Sequence, residues 1–321
     1  VLREIRAADP ALFGLSIIIA LVGFWFRAVR WGVFLEPIQR GIPFRPRLAA
    51  TFIGFAANNV LPARMGEVVR AFSLARLTPV SLSAAFATLV MERLFDALAL
   101  VGLLFGAMAT RNFPSATSLG GLDVRSAATF LGVGMCVVAI GLYIVVAAPA
   151  QAARAAEQAS KLLPRRLRAP VLDSLRGFAK GLGVLKSGRL FLLSAALGLG
   201  QWVFLALSFY VGFRAFGIDQ VPFTGAVFLQ SLISLAVAIP SSPGFFGPFE
   251  AAARVGLGLW EVPAQQAISF AIGFHIAGFL PVIVIGGYYL WRTNVSLSDL
   301  SSGASETAST DGHVGRGRSA G

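Results

Sequence analysis

The chain alternates long apolar runs with short polar punctuation. Residues 11–26 read ALFGLSIIIALVGFWF, residues 127–148 read AATFLGVGMCVVAIGLYIVVAA, and residues 267–291 read AISFAIGFHIAGFLPVIVIGGYYLW. A helix rises about 1.5 Å per residue, so runs of this kind reach across the roughly 30 Å of a bilayer's hydrocarbon. Full spans are predicted at 12–34, 83–108, 127–148, 190–214 and 265–291, with shorter apolar segments at 48–62 and around 222–260. The expected fold class is an all-α integral membrane protein with about five to seven transmembrane helices, because a helix satisfies its own backbone in lipid.

The short segments break this regularity. The run LAATFIGFAA (48–57) is followed at once by NNVLPARMGE (58–67), which places two amides, a proline, an arginine, a glycine and a glutamate where a span should finish. The stretch 150–189 is the most basic in the chain and is expected on the cytoplasmic side. Its apolar residues, Leu162, Leu163, Leu167, Val171, Leu172, Leu175 and Phe178, recur at helical spacing between basic ones, as in an amphipathic connector on the inner leaflet broken at Pro164 and Pro170. With that stretch inside, the loop at 109–126 is external and the segment from Arg64 to Arg76 is cytoplasmic.

The loop carrying Arg40, Arg45 and Arg47 is also basic. Both loops lie inside only if residues 48–62 enter the membrane and turn back as a re-entrant or broken helix. The first span then starts outside, which favours a further span upstream. Residues 236–250, AVAIPSSPGFFGPFE, echo the same plan: Pro62, Gly66 and Glu67 correspond to Pro243, Gly247 and Glu250 with a shift of a few residues. Two interrupted helices in matching positions follow the pattern of an inverted repeat, with the binding site where the breaks meet. The tail at 293–321 is rich in Ser and Gly and is expected to be disordered.

Composition agrees with this picture. Of 321 residues 56% are hydrophobic and 13% charged, and mean hydropathy is +0.75. A net charge of +12 raises the question of nucleic acid, but the arginines cluster between spans, where anionic lipid accounts for them. No nucleic-acid partner is expected. The single cysteine, Cys136, excludes a disulfide framework within one chain.

Charge inside or beside apolar stretches marks the candidate chemistry, because an ionisable group in a span is costly and tends to pair or line a pathway. Three groups stand out: Arg64, Glu67 and Arg70; Glu92, Arg93 and Asp96; and Glu250 with Arg254. Spacings of three and four place Glu67 with Arg70, Arg93 with Asp96, Glu92 with Asp96 and Glu250 with Arg254 on shared helix faces. Asn58 and Asn59 join them as candidate substrate-binding residues at the first break. Arginines and free N–H groups at helix starts suit a phosphate, and carboxylates suit an amine or hydroxyl. Each group is equally an ion pair that ties helices together.

Catalytic signals are thin. There is no HExxH, GxSxG or dinucleotide fingerprint, and the only histidines are His275, in a span, and His313, in the tail. Neither a metal nor a cofactor is expected, and His275 reads as a packed, hydrogen-bonded residue. Trp25, Trp31, Trp260 and Trp291 fall near span ends, as an aromatic belt would. Arg27 and Arg30 read as inner-leaflet anchors or as contacts to lipid phosphates.

Taken in order, RAVRW (27–31), NNVLPARMGEVVR (58–70), ERLFD (92–96) and PSSPGFFGPFE (240–250) make the chain resemble the lysylphosphatidylglycerol synthase transmembrane family, also called flippase-like domain proteins. The resemblance covers residues from about 5 to 292. It implies a lipid flippase or transporter of the bacterial inner membrane that moves a phospholipid or glycolipid between leaflets. Two alternatives stay open: a membrane-embedded transferase on a polyprenyl-phosphate or glycolipid, with Glu92 and Asp96 as acid and base, or a regulatory partner of a lipid-modifying enzyme. Membrane lipids with anionic or zwitterionic head groups are the expected partners, beside a second copy of the chain or a lipid-modifying enzyme. Relative to the family pattern the sequence lacks the usual first span. It also carries no soluble aminoacyl transferase domain after residue 292, so the aminoacyl lipid would be made elsewhere.

Overall fold

The computed structural model describes residues 1–61, 65–114, 187–238 and 242–293, with isolated positions between 118 and 184. Nearly all of the predicted span at 127–148 and of the basic connector, together with Arg64 and the tail from residue 294, lie outside the described residues. The chain opens with α1 (Leu2–Ala7) and α2 (Pro10–Leu35). Asp9 starts α2 by accepting from the backbone N–H groups of Ala11 at 2.8 Å and Leu12 at 3.0 Å, and Pro10 fits the first turn, where no hydrogen is needed. Next come α3 (Phe44–Val60), α4 (Gly66–Leu77) and α5 (Leu82–Met108), the last capped by Ser81.

A two-residue antiparallel pair, Ser118–Leu119 with Leu122–Asp123, follows α5. The second group is α6 (Gly188–Ala215), α7 (Phe223–Ala236), a 3-10 turn (Pro243–Phe245), α8 (Pro248–Gly258) and α9 (Ala264–Thr293).

Among the described residues three helices, α2, α6 and α9, are long and apolar enough to cross a membrane. They match the spans predicted at 12–34, 190–214 and 265–291. The predicted span at 83–108 is the 27-residue helix α5, which has the length but carries Glu92, Arg93 and Asp96 along its path. The short segments are helices of 17 residues (α3) and 14 residues (α7). At 1.5 Å per residue these are about 25 and 21 Å long, less than the bilayer's hydrocarbon.

Each group runs long, short, interruption, short, long. The lengths are 26, 17, 12 and 27 residues for α2–α5, and 28, 14, 11 and 30 for α6–α9. The packing repeats as well: α3 of the first group lies against α9 of the second, and α7 lies against α5. The two leading helices, α2 and α6, run antiparallel along each other. The N–H of Asp9 donates to Ala215 O at 2.8 Å, Ser208 Oγ donates to Ser16 O at 2.8 Å, and Phe26 stands 4.9 Å from Phe204. Two cores follow this division. Phe209, Phe213, Phe270 and Phe274 fill the second group, while Trp31, Phe34, Leu74 and Leu89 fill the first.

Candidate functional site

The first group is held by a buried ladder of opposite charge. Arg27 on α2 donates to Glu92 at 2.7 Å and to Asp96 at 3.3 Å, and Arg30, one turn on, bonds the other oxygen of Asp96. Arg70 on α4 reaches the same Glu92 with two bonds of 2.9 and 3.1 Å, the paired geometry that suits guanidinium and carboxylate. Its guanidinium also lies 4.2 Å from the Trp31 ring centroid, and the Trp31 N–H donates to Thr88 Oγ1 at 2.9 Å. Arg93 stands 3.4 Å from Glu67, 3.4 Å from Glu92 and 3.9 Å from Asp96. Among the described residues four guanidiniums thus meet three carboxylates. Most of the ladder is sealed, whereas Arg93 and Glu67 remain partly open, at 34% and 21% side-chain exposure.

Several expectations are corrected here. Local spacing paired Glu67 with Arg70, but Glu67 faces Arg93 and Arg70 turns to Glu92. Arg27 and Arg30 are not leaflet anchors; they are buried and satisfied by carboxylates across a helix interface. Trp31 is fully buried rather than part of a belt, whereas Trp25 and Trp291 are exposed as a belt requires.

The first interruption is built by close approach. Asn58 Oδ1 accepts from the N–H of Gly66 at 2.8 Å, so an amide near the end of α3 satisfies an orphan donor at the start of α4. A Cβ at Gly66 would collide with Gly54 O and the Asn58 side chain, so α3 and α4 touch only because both positions are glycine. The adjacent Asn59 lines the neighbouring cavity.

At the second interruption Gly247 has φ +99°, a conformation that side chains rarely adopt, and its N–H donates to Glu250 Oε2 at 2.6 Å. The other oxygen of Glu250 meets His275 Nδ1 on α9 at 2.7 Å, and the imidazole stacks on Phe249 at 4.3 Å and Phe246 at 4.6 Å. Glu250 therefore pairs with a histidine 25 positions away rather than with Arg254, four residues on, which is exposed.

One cavity of about 480 Å³ runs between the two interruptions. Arg27, Asn58, Asn59, Glu67, Arg93 and Asp96 line one end, while Phe245, Phe249 and His275 line the other, with Gln201 and Trp202 of α6 along the wall. Arg70 and Glu92 sit behind the wall, and Arg64 is outside the described residues. Gln201 is a cavity residue that the sequence did not single out, while Arg27, read as an anchor or a contact to lipid phosphate, and His275, read as a packed residue, lie outside the substrate-binding set read from the sequence. A signal existed for the arginine: Arg27 lies eight residues inside the end of α2, deeper than an anchor needs. Among the described residues no cluster of three His, Cys, Asp or Glu residues could hold a metal ion.

With this geometry in place, comparison with known proteins gives the family. The profile described as "Lysylphosphatidylglycerol synthase TM region" matches residues 1–286. The chain is similar to the glycosyltransferase AglD of Haloferax volcanii, with 29% identity over 93% of this chain and 51% of that protein. It is also similar to UPF0104 membrane proteins of Methanocaldococcus jannaschii (25% identity over 74% of this chain and 95% of that protein) and Methanothermobacter thermautotrophicus (24% over 90% and 85%). The chain spans about half the length of the first relative and most of the other two. All three are archaeal. No solved structure matches it. The match over nearly all the described helices, to relatives named as membrane proteins, establishes that this chain is a membrane protein belonging to the lysylphosphatidylglycerol synthase TM region family.

Proposed function

We propose that this protein moves a lipid with a phosphate-bearing polar head group between the leaflets of a cytoplasmic membrane. The observation that carries the reading is the cavity of about 480 Å³ that joins the two helix interruptions and has an arginine-rich ladder at one end. The excess of guanidinium over carboxylate among the described residues of the ladder favours an anion, and a phosphodiester supplies one negative charge and oxygens that guanidinium groups grip. Glu67 and Arg93 are the exposed members of the ladder and would meet the head group, with Asn58 and Asn59 at the edge of the break.

In this reading α2–α5 and α6–α9 form an inverted repeat, and α3 with α4 and α7 with α8 are the re-entrant pairs. The antiparallel contact of α2 with α6 and the reciprocal packing of α3 on α9 and α7 on α5 support it. Two equivalent halves facing opposite leaflets can exchange places energetically, which is what movement in both directions needs.

The transferase alternative draws on the name of the Haloferax relative, of which the alignment covers about half. Against it, Glu92 and Asp96 already have arginines on their oxygens, and Glu92 is fully buried, so neither is placed to trade protons with a substrate. The test is reconstitution of the full chain in liposomes with an acyl-labelled fluorescent phospholipid, read by quenching from outside. Lipid analysis of a deletion strain separates the two readings: a missing chemical species favours the enzyme, and unchanged chemistry with altered leaflet distribution favours transport.

A further inference from the structure

His275 lines the cavity and pairs with Glu250 rather than with an arginine. Imidazole is the side chain whose ordinary change of charge lies nearest neutral pH. Nδ1 faces a carboxylate oxygen at 2.7 Å, so the neutral ring donates from Nδ1 to Glu250. Nε2 has no partner among the described residues, and the residue lines the cavity. A proton passed from hydronium to Nε2 forms an N–H bond, breaks an O–H bond and leaves water, and it converts a pair of charge −1 into one of charge zero.

The surroundings leave this pair to act alone. On α8 the other charged residue is Arg254, which is exposed. Where α3 meets the cavity it offers only Asn58 and Asn59, since Arg45 and Arg47 lie near its start and Arg47 donates to Ala28 O and Val29 O. On α2, Arg27 and Arg30 are held by Glu92 and Asp96, and Asp9 caps the helix. On α6, Gln201 is the polar group at the cavity, Arg189 is exposed near the start and Arg214 is paired with Asp219. From α1, which carries Arg3, Glu4 and Arg6, Ile5 lies nearest to Gly273. Among the described residues, the charged groups that share the cavity with His275 are Arg27, Glu67, Arg93 and Asp96, all in the ladder.

We propose that His275 and Glu250 form a site that exchanges a proton for the ammonium group of a zwitterionic lipid head group. The proposal rests on the transport reading above and adds a substrate class and a coupling ion to it. With the ring neutral, Arg93 lines one end of the cavity and His275 lines the other with the negative charge of Glu250 directly behind it, which matches a phosphate and an amine on one head group. The ring of Phe249, which lines the cavity beside His275, suits a cation as well. Protonation of His275 cancels the negative end and expels the ammonium, and by linkage a bound ammonium disfavours the proton equally.

The test uses the full chain in liposomes with acyl-labelled fluorescent phosphatidylethanolamine or phosphatidylglycerol, at pH 7.5 and 5.5 on both sides. Phosphatidylethanolamine movement falls at least fivefold in acid, phosphatidylglycerol movement changes less than twofold, and His275→Gln removes the difference between the two pH values. A second readout does not depend on transport: nitrogen NMR of histidine-labelled protein in nanodiscs, where His313 is the only other histidine. Glu250→Gln weakens proton binding at His275 at least tenfold. Equal phosphatidylethanolamine movement at both pH values, or an unchanged His275 titration in Glu250→Gln, overturns the proposal. If neither lipid moves at any pH while the NMR effect is present, the transport reading itself has failed and the exchange falls with it.

Discussion

Arg70 and Glu92 lie 22 residues apart on neighbouring helices, yet they close a fully buried two-bond pair at 2.9 and 3.1 Å. Glu92 also holds Arg27 at 2.7 Å, so one carboxylate joins α2, α4 and α5. The role of each charge in this ladder follows from its exposure. Sealed members hold the helices together, and in the proposed reading the open members, Glu67 and Arg93, meet the head group.

Glu92→Gln is therefore a stability variant. It leaves Arg70 buried without a carboxylate and Arg27 with Asp96 alone, and breaking a buried pair from one side costs about 3–5 kcal/mol. Thermal unfolding in detergent should show a large drop in melting temperature, and Arg70→Gln should fall in the same range.

Glu67→Gln should behave differently. Its pair with Arg93 is partly open, and partly solvated pairs contribute about 0–1 kcal/mol. The variant should melt close to wild type while losing most lipid movement in liposomes. Glu67→Asp, which keeps the charge, should retain more of that movement than Glu67→Gln, which a role independent of charge would not allow.

Gly66→Ala should separate α3 from α4. The added methyl meets backbone at Gly54 and the Asn58 amide, neither of which can rotate away, and overpacking of this kind costs about 1–3 kcal/mol. Limited proteolysis of the purified protein should detect faster cutting near residues 61–65 in the variant.

The antiparallel contact of α2 and α6 has its own check. Ser208 bonds the carbonyl of Ser16, which brings the two backbones close enough for cross-linking. Cysteines at 16 and 208, in a chain whose natural Cys136 is replaced by alanine, should form a bond seen as a reducible mobility shift. Cysteines at 16 and 194, at separated points along the pair, should not.

Much of this was legible in the sequence, because long apolar runs and helix breakers are local signals. The spans α2, α6 and α9, the interruptions at NNVLPARMGE and PSSPGFFGPFE, and the charges at 67, 70, 92, 93 and 96 all appear on inspection. Partner choice did not. Spacing along one helix suggested Glu67 with Arg70 and Glu250 with Arg254, but a buried charge takes the best partner in three dimensions. The chosen partners lie on other elements, 26 residues away for Glu67 and 25 for Glu250. His275 was read as a packed, hydrogen-bonded residue, and it is one. Its place at the cavity wall depends on the second interruption folding back over α9, which no local pattern records.

The central claim is that a lipid head group crosses through the cavity between the two interruptions. The most direct measurement is quenching of an acyl-labelled phospholipid in liposomes that contain the full chain, compared with liposomes that contain Glu67→Gln. Transport predicts that in the wild-type vesicles an external quencher reaches inner-leaflet probe as well, while the variant protects it as protein-free vesicles do. Protection of the inner leaflet by the wild-type protein, or equal loss of protection with the variant, would contradict the account.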